Sequence, residues 1–284
     1  MQHQAVKLFY LSSKRRMEET NIITQPPIKP EIEALFNAGV HFAYKKTRRH
    51  PKMREYIAGV RSNVEVFHLE RVYERLVDAM AFMEKLGTES AVILWIGTKP
   101  AACSIITDTA TALQHPYVAK RWIGGTLTNF KIIRGRVEYL KTLEEAIQNP
   151  DFLKYPKHER MKTKKEVEKL QEEFGNLRLL KSIPNAMVIV DANEELTAVT
   201  EGRKVGVKTI AIMNSDCDPD AVTCPIPGND NAVQSIKYLI GKLKEAYLKG
   251  KASAPKKDEV REKEVKDEAL QNPVKNHQVP ANSS

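Results

Sequence analysis

Two stretches of this 284-residue chain concentrate cationic side chains. Between His41 and Arg61, seven Lys or Arg (Lys45, Lys46, Arg48, Arg49, Lys52, Arg54, Arg61) stand against one acid, Glu55. Between Tyr117 and Arg136, in YVAKRWIGGTLTNFKIIRGR, Lys120, Arg121, Lys131, Arg134 and Arg136 stand against none. Ammonium and guanidinium groups neutralise phosphates and release counterions, a source of affinity that grows with the number of charges facing the backbone. The formal charge of +9 is moderate, so its uneven placement carries the signal. Elsewhere, as in Lys162 to Glu173, acids and bases interleave as on a solvated helix face. The chemistry on offer is capture of a polyanion.

Within the first stretch Tyr44 and His50 supply flat rings on which a splayed base could stack. Within the second, Gly124 and Gly125 allow a close backbone approach or a positive φ. Thr126, Thr128 and Asn129 can donate to phosphate or 2′-hydroxyl oxygens, or cap the following helix. Trp122 reads as a half-buried anchor for the loop rather than a stacking platform.

Other chemistry is thinly supported. Gly97 and Lys99 in WIGTKP could hold a phosphate at a helix N-terminus, but the run matches neither G-x-G-x-x-G nor G-x-x-x-x-G-K-[ST]. Asp216, Asp218 and Asp220 suggest a divalent ion, yet lack the glycine and distal glutamate of an EF-hand loop and suit a tight turn around Pro219. The histidines fall in different elements, and no Ser or Cys lies in a nucleophile elbow. Cys103, Cys217 and Cys224 are too few for a disulfide framework or a four-ligand zinc site, which fits a reducing compartment. No catalytic residue, metal site, cofactor or small-molecule substrate is expected. The longest apolar run, AVILWI, falls far short of the roughly 20 residues that cross a bilayer. The first sixteen residues, with Lys7, Lys14, Arg15, Arg16 and no acid, faintly suggest organelle targeting; the acidic MEETN from Met17 reads as an alternative beginning.

The elements that must position these residues follow from periodicity. EIEALFNAGVHF places Ile32, Leu35, Phe36 and Val40 near helical spacing with Gly39 as the stop, REYIAGVRSNVEVFHL is a hairpin turning at Ser62-Asn63, and Leu69 to Leu86 is a helix ended by Gly87. Then AVILWIG, HPYVAKRW, AMVIVDA and VKTIAIMNS read as strands, alternating with helices in KPAACSIITDTATAL and NEELTAVTEGRKVG. DCDPDAVTCPIPGNDN is expected as a loop, before a last helix to about Leu248. Strands apolar throughout and separated by helices predict a doubly wound α/β domain with a parallel sheet. Two charged helical patterns, Leu127 to Ala146 and Lys157 to Phe174, interrupt it; Ile133, Val137, Leu140 and Leu143 recur at coiled-coil spacing. The expected layout is a flexible arm over residues 1–30, a domain over 31–249 with a hairpin at about 127–174, and a disordered tail over 250–284.

LFNAGVHFAYKKTRRHPKM, RWIGGTLTNF, DCDPD and PIPGNDNA, in this order, closely resemble the bacterial-type S-two family of small-subunit ribosomal proteins. The resemblance runs from about Glu31 to Leu248. It implies a flavodoxin-like α/β domain with a protruding coiled-coil hairpin, at the head–body junction on the solvent side of the small subunit. It further implies contact with small-subunit ribosomal RNA and with neighbouring proteins, including the messenger-binding protein S-one. Ala43-Tyr44 replaces the family's usual Gly-His, and Ile123 its usual Leu.

The expected RNA-binding set is Lys45, Lys46, Arg48, Arg49, Lys52, Arg54, Lys120, Arg121, Gly124, Gly125, Asn129, Lys131, Arg134 and Arg136. The expected location is the cytoplasm of a bacterium, an organellar ribosome being the alternative. A nucleotide-dependent enzyme using Gly97 to Lys99, and a protein-interaction module built on the hairpin, are the rival readings.

Overall fold

A computed structural model describes residues 29–254; nearly all of the expected arm, and the expected tail beyond residue 254, lie outside the described residues. Helix α1 (Pro30–Asn37) opens with proline at its first turn, where the missing N–H costs nothing. Strands β1 (Phe42–Lys45), β2 (Ile57–Arg61) and β3 (Val64–Phe67) form a small antiparallel sheet of order β1-β3-β2. Ser62 and Asn63 turn the β2–β3 hairpin at φ 48° and 66°, the left-handed pair that a two-residue turn demands.

After α2 (Leu69–Thr88) the chain alternates through β4 (Ile93–Ile96), α3 (Pro100–Leu113) and β5 (Tyr117–Val118). It then makes α4 (Phe130–Gln148) and α5 (Lys157–Phe174), and continues with β6 (Ala186–Val190), α6 (Leu196–Val205), β7 (Lys208–Met213), β8 (Cys224–Pro227) and α7 (Val233–Ser253). The five strands β5-β4-β6-β7-β8 pair in parallel, an order that matches flavodoxin-like sheets.

Strand periodicity splits the core in two. Ile93, Trp95, Val188 and Ile210 pack with α1, α2, α3 and α7, while Leu94, Ile96, Met187 and Ile189 pack with α6 and the α4–α5 pair. Both faces are therefore covered, which is why β4 and β6 are apolar at every position and β7 from Ile210 onward. Each large side chain taken fully out of water here contributes about 1.5–3 kcal/mol. Ile133, Val137 and Leu140 of α4 share one buried cluster with Val167, Leu170 and Phe174 of α5. Tyr139 donates from its hydroxyl to Glu166 across the pair at 3.1 Å.

Three segments depart from the sequence reading. β8 lies inside the expected loop, because Pro225 and Pro227 disguise it; an edge strand tolerates residues that cannot donate. β1 is a third strand beside the expected hairpin. α7 continues to Ser253, past Leu248, since Gly250 faces α2 so closely that a Cβ there would lie 1.9 Å from the Glu84 carbonyl oxygen.

Candidate nucleic-acid interface

The first basic stretch leaves β1 and crosses two 3-10 turns, Lys46–Arg48 and Pro51–Tyr56. Its backbone is tied to the loop after β7. Tyr44 N donates to Asn214 Oδ1 at 3.1 Å and Ser215 Oγ at 3.2 Å, and His50 N donates to the Ser215 carbonyl at 2.7 Å. Side chains repeat the connection as charge. Arg48 pairs with Asp216 at 3.1 Å; Lys52 pairs with Asp218 at 3.0 Å and Asp220 at 2.6 Å. Hydrogen bonds to Asp220 and Asp218 push the Lys52 ammonium above its ordinary value, and Lys52 holds the Asp218 carboxyl below its own. Asp218 also accepts from Asp220 N at 3.1 Å, so the expected tight turn is present as well.

Arg49 turns inward to buried Glu65 at 2.8 Å. Lys45, Lys46 and Arg54 are exposed and form no ion pair among the described residues. The Tyr44 ring, expected as a stacking face, is covered on one side by the Arg48 guanidinium, 4.2 Å from its centroid.

The crevice at the carboxyl ends of the strands is filled by the chain itself. Lys99 Nζ lies 2.6 Å from Asp191 Oδ2, just beyond β6, and 2.6 Å from Asp230 Oδ2, beyond β8. Burial alone would lower the Lys99 pKa; its hydrogen bonds to the two aspartates overcome that and raise it above the ordinary range. Burial likewise works against the Asp191 carboxylate, and the Lys99 ammonium holds it below its usual value. Thr98 donates from its backbone N–H and its hydroxyl to Glu195. The Gly97–Lys99 turn thus spends its donors internally, and the lysine read as a phosphate ligand is already neutralised.

The second basic stretch is built around a carboxylate from α6. Glu201 is 6% exposed and receives Trp122 Nε1 at 3.1 Å, Gly125 N at 2.7 Å, Leu127 N at 3.0 Å, Thr128 N at 3.1 Å and Thr128 Oγ1 at 3.1 Å. Burial raises the Glu201 pKa, but the donors from Gly125, Leu127, Thr128 and Trp122 outweigh it and hold the group below its usual value. Trp122 is the anchor expected of it. Gly125 takes φ 90°, which lets the loop curl over the carboxylate. Its N–H therefore points inward rather than toward a phosphate; Gly124 is exposed, with open space where a Cβ would stand.

Asn129 occupies the position before α4 but makes no capping hydrogen bond with its side chain, and the Thr126 hydroxyl donates to the Ile123 carbonyl. Lys120 pairs with Glu172 of α5 at 2.8 Å. Arg134 is half-buried between Glu138, at 2.7 Å, and the Leu180 carbonyl, at 3.3 Å. Arg121, Lys131 and Arg136 are exposed and form no ion pair among the described residues. A cavity of about 350 Å³ opens between the loop and α5, lined by Lys120 to Gly124, Glu172 and Glu173.

Glu201, Asp191 and Asp230, which organise these surfaces, are absent from the sequence expectation. Glu201 reaches its partners across 73–79 residues of chain, and Asp230 reaches Lys99 across 131. Spacing within one segment cannot register such contacts.

The doubly wound scaffold spends the donors of its strand-end crevice internally and presents cations on anchored loops, and the fold by itself assigns it no activity. Residues 35–250 match the family model described as Ribosomal protein S2. Small ribosomal subunit protein uS2 of Dictyoglomus thermophilum is 38% identical over 247 residues, covering 86% of this chain and 98% of that protein. Small ribosomal subunit protein uS2c of Cyanophora paradoxa is 39% identical over 219 residues (77% and 94%), and uS2 of Thermus thermophilus 37% over 225 (79% and 88%). The chain belongs to the ribosomal protein S2 family. That family consists of structural proteins of the translation machinery, not enzymes.

Proposed function

We propose that this protein is a constituent of the small ribosomal subunit and binds small-subunit ribosomal RNA through its two basic stretches. One observation carries the reading: Lys45, Lys46, Arg48, Lys52, Arg54, Lys120, Arg121, Lys131 and Arg136 are exposed on backbone that is fixed from behind. Ser215 and Asn214 hold the first stretch, Glu201 the second. A preorganised cationic surface loses little conformational freedom when phosphates arrive. Gly124, Gly125 and Asn129 shape the second surface, while Arg49 and Arg134 brace their segments through Glu65 and Glu138.

Residues 31–249 act as one ribosomal domain, and the α4–α5 pair extends it as a coiled-coil hairpin. A neighbouring S-one protein docks on this scaffold during assembly. The compartment is the bacterial cytoplasm, with a plastid ribosome as the alternative because one relative is a uS2c protein.

Full-length protein titrated onto small-subunit ribosomal RNA at several salt concentrations tests the proposal. Lys45→Ala/Lys46→Ala/Arg54→Ala removes cations that brace nothing, so it should leave the melting temperature unchanged. The salt slope should flatten by roughly 0.7–0.9 per lost phosphate contact. An unchanged slope removes these residues from the interface.

A further inference from the structure

The aspartates that hold the first basic stretch stand where phosphates would stand. Asp216 lies 3.1 Å from the Arg48 guanidinium, and Asp218 and Asp220 lie 3.0 Å and 2.6 Å from the Lys52 ammonium. The Lys52 pairs lie at the surface, with Lys52 48%, Asp218 39% and Asp220 72% exposed, while an exposed Arg48 covers an Asp216 side chain that is 10% exposed. A shallow groove of about 720 Å³ beside them is lined by Lys52, Arg54, Arg71 and Asp220. A turn alone needs only the Asp218 side chain, which accepts from Asp220 N. It leaves the Asp220 carboxylate unexplained except by Lys52, whereas Asp216, besides pairing with Arg48, accepts from Asn193 Nδ2 at 3.5 Å.

Resting on the RNA-binding reading above, we propose that Asp216, Asp218 and Asp220 are an internal competitor for RNA phosphate. They occupy Arg48 and Lys52 in the free protein, so that RNA must displace them. The penalty falls on every polyanion. It lowers weak, generic binding to stray RNA below useful levels, while a cognate site with many additional contacts still binds. A uniform penalty leaves the ratio of affinities as it was and raises the number of contacts a polyanion must make before it is held.

The test uses the full-length chain, a labelled poly(U) 20-mer as generic RNA, and small-subunit ribosomal RNA as cognate. An exposed ion pair is worth about 1.4- to 5-fold in an equilibrium constant. Asp218→Asn/Asp220→Asn, which keeps the turn acceptor as an amide oxygen, should therefore bind poly(U) about 3- to 10-fold more tightly. Its salt slope should steepen by roughly 0.7 in total, for the one Lys52 ammonium that both carboxylates hold. Asp220→Asn alone, in a side chain whose contact is Lys52, should give a smaller gain with an unchanged melting temperature. Asp108→Asn, which removes the same charge from the exposed side of α3, should give little. Equal gains from Asp108→Asn, or no gain from the pair while ribosomal RNA still binds, overturn the competitor. Failure of the unmodified protein to bind ribosomal RNA at low salt overturns the RNA reading beneath it.

Discussion

Replacing Glu201 by Gln tests whether one buried carboxylate shapes the second basic surface. The change keeps the side chain's size and exchanges one oxygen for an NH₂ group. Oε1 receives two donors and Oε2 three, so either orientation of the amide sets an NH₂ against at least two N–H or O–H groups. An orphaned buried donor costs about 1–3 kcal/mol, and such losses are not additive, which gives roughly 2–4 kcal/mol in total. For a domain of this size that corresponds to a fall in melting temperature of roughly 4–16 °C. Circular dichroism measures it, and fluorescence of Trp122, whose ring N–H bonds to Glu201, reports the loop locally.

The pH dependence gives a second reading. The folded carboxyl lies below its ordinary 4.5, so its contribution is present above pH 4.5 and is lost as pH falls through the lower, folded value. The gap between wild type and Glu201→Gln should narrow in acid. A variant melting within about 1 °C of wild type, with unchanged tryptophan emission, refutes the clasp.

Lys99→Met leaves Asp191 and Asp230 buried without their cation and should cost about 3–5 kcal/mol in urea unfolding; near-neutral stability contradicts the internal ion cluster. Calorimetry of the unmodified protein with common nucleotides should show no micromolar binding, because the crevice lysine is occupied. Gly250→Ala drives a Cβ into the Glu84 carbonyl and should destabilise by about 1–3 kcal/mol by calorimetric melting. His115 is buried with Trp95 Nε1 donating to its Nδ1 at 3.1 Å, and burial lowers its pKa from 6.5 to about 4. An unfolded chain would take up that proton first, so folded stability drops as pH falls from 6.5 toward 4. An NMR titration midpoint between 6 and 7 would contradict this.

The alternation of apolar runs and helices made the five-stranded core readable, because strands covered on both faces need no polar positions. β8 was hidden by its own prolines, and β1 by the way FAYK runs straight into the basic stretch. The basic residues were visible as composition, but not the division of labour among them. Arg49 and Arg134 brace the fold, Arg48 and Lys52 are held by aspartates, and Lys45, Lys46, Arg54 and Arg121 are open. Pairing of this kind depends on which loops the sheet brings to one edge. The DCDPD run read correctly as a turn and incompletely as only that. The GGTLTN loop was recognisable as conformationally special, whereas the carboxylate it wraps lies on α6, seventy-three or more residues downstream.

Cryo-microscopy of the small ribosomal subunit from the source organism would reveal what the two basic stretches face. This chain should stand in the particle with Lys45, Lys46, Arg54, Arg121 and Arg136 within about 4 Å of RNA phosphate oxygens. A bound chain whose two basic stretches both face solvent, with its RNA contacts elsewhere, would contradict it.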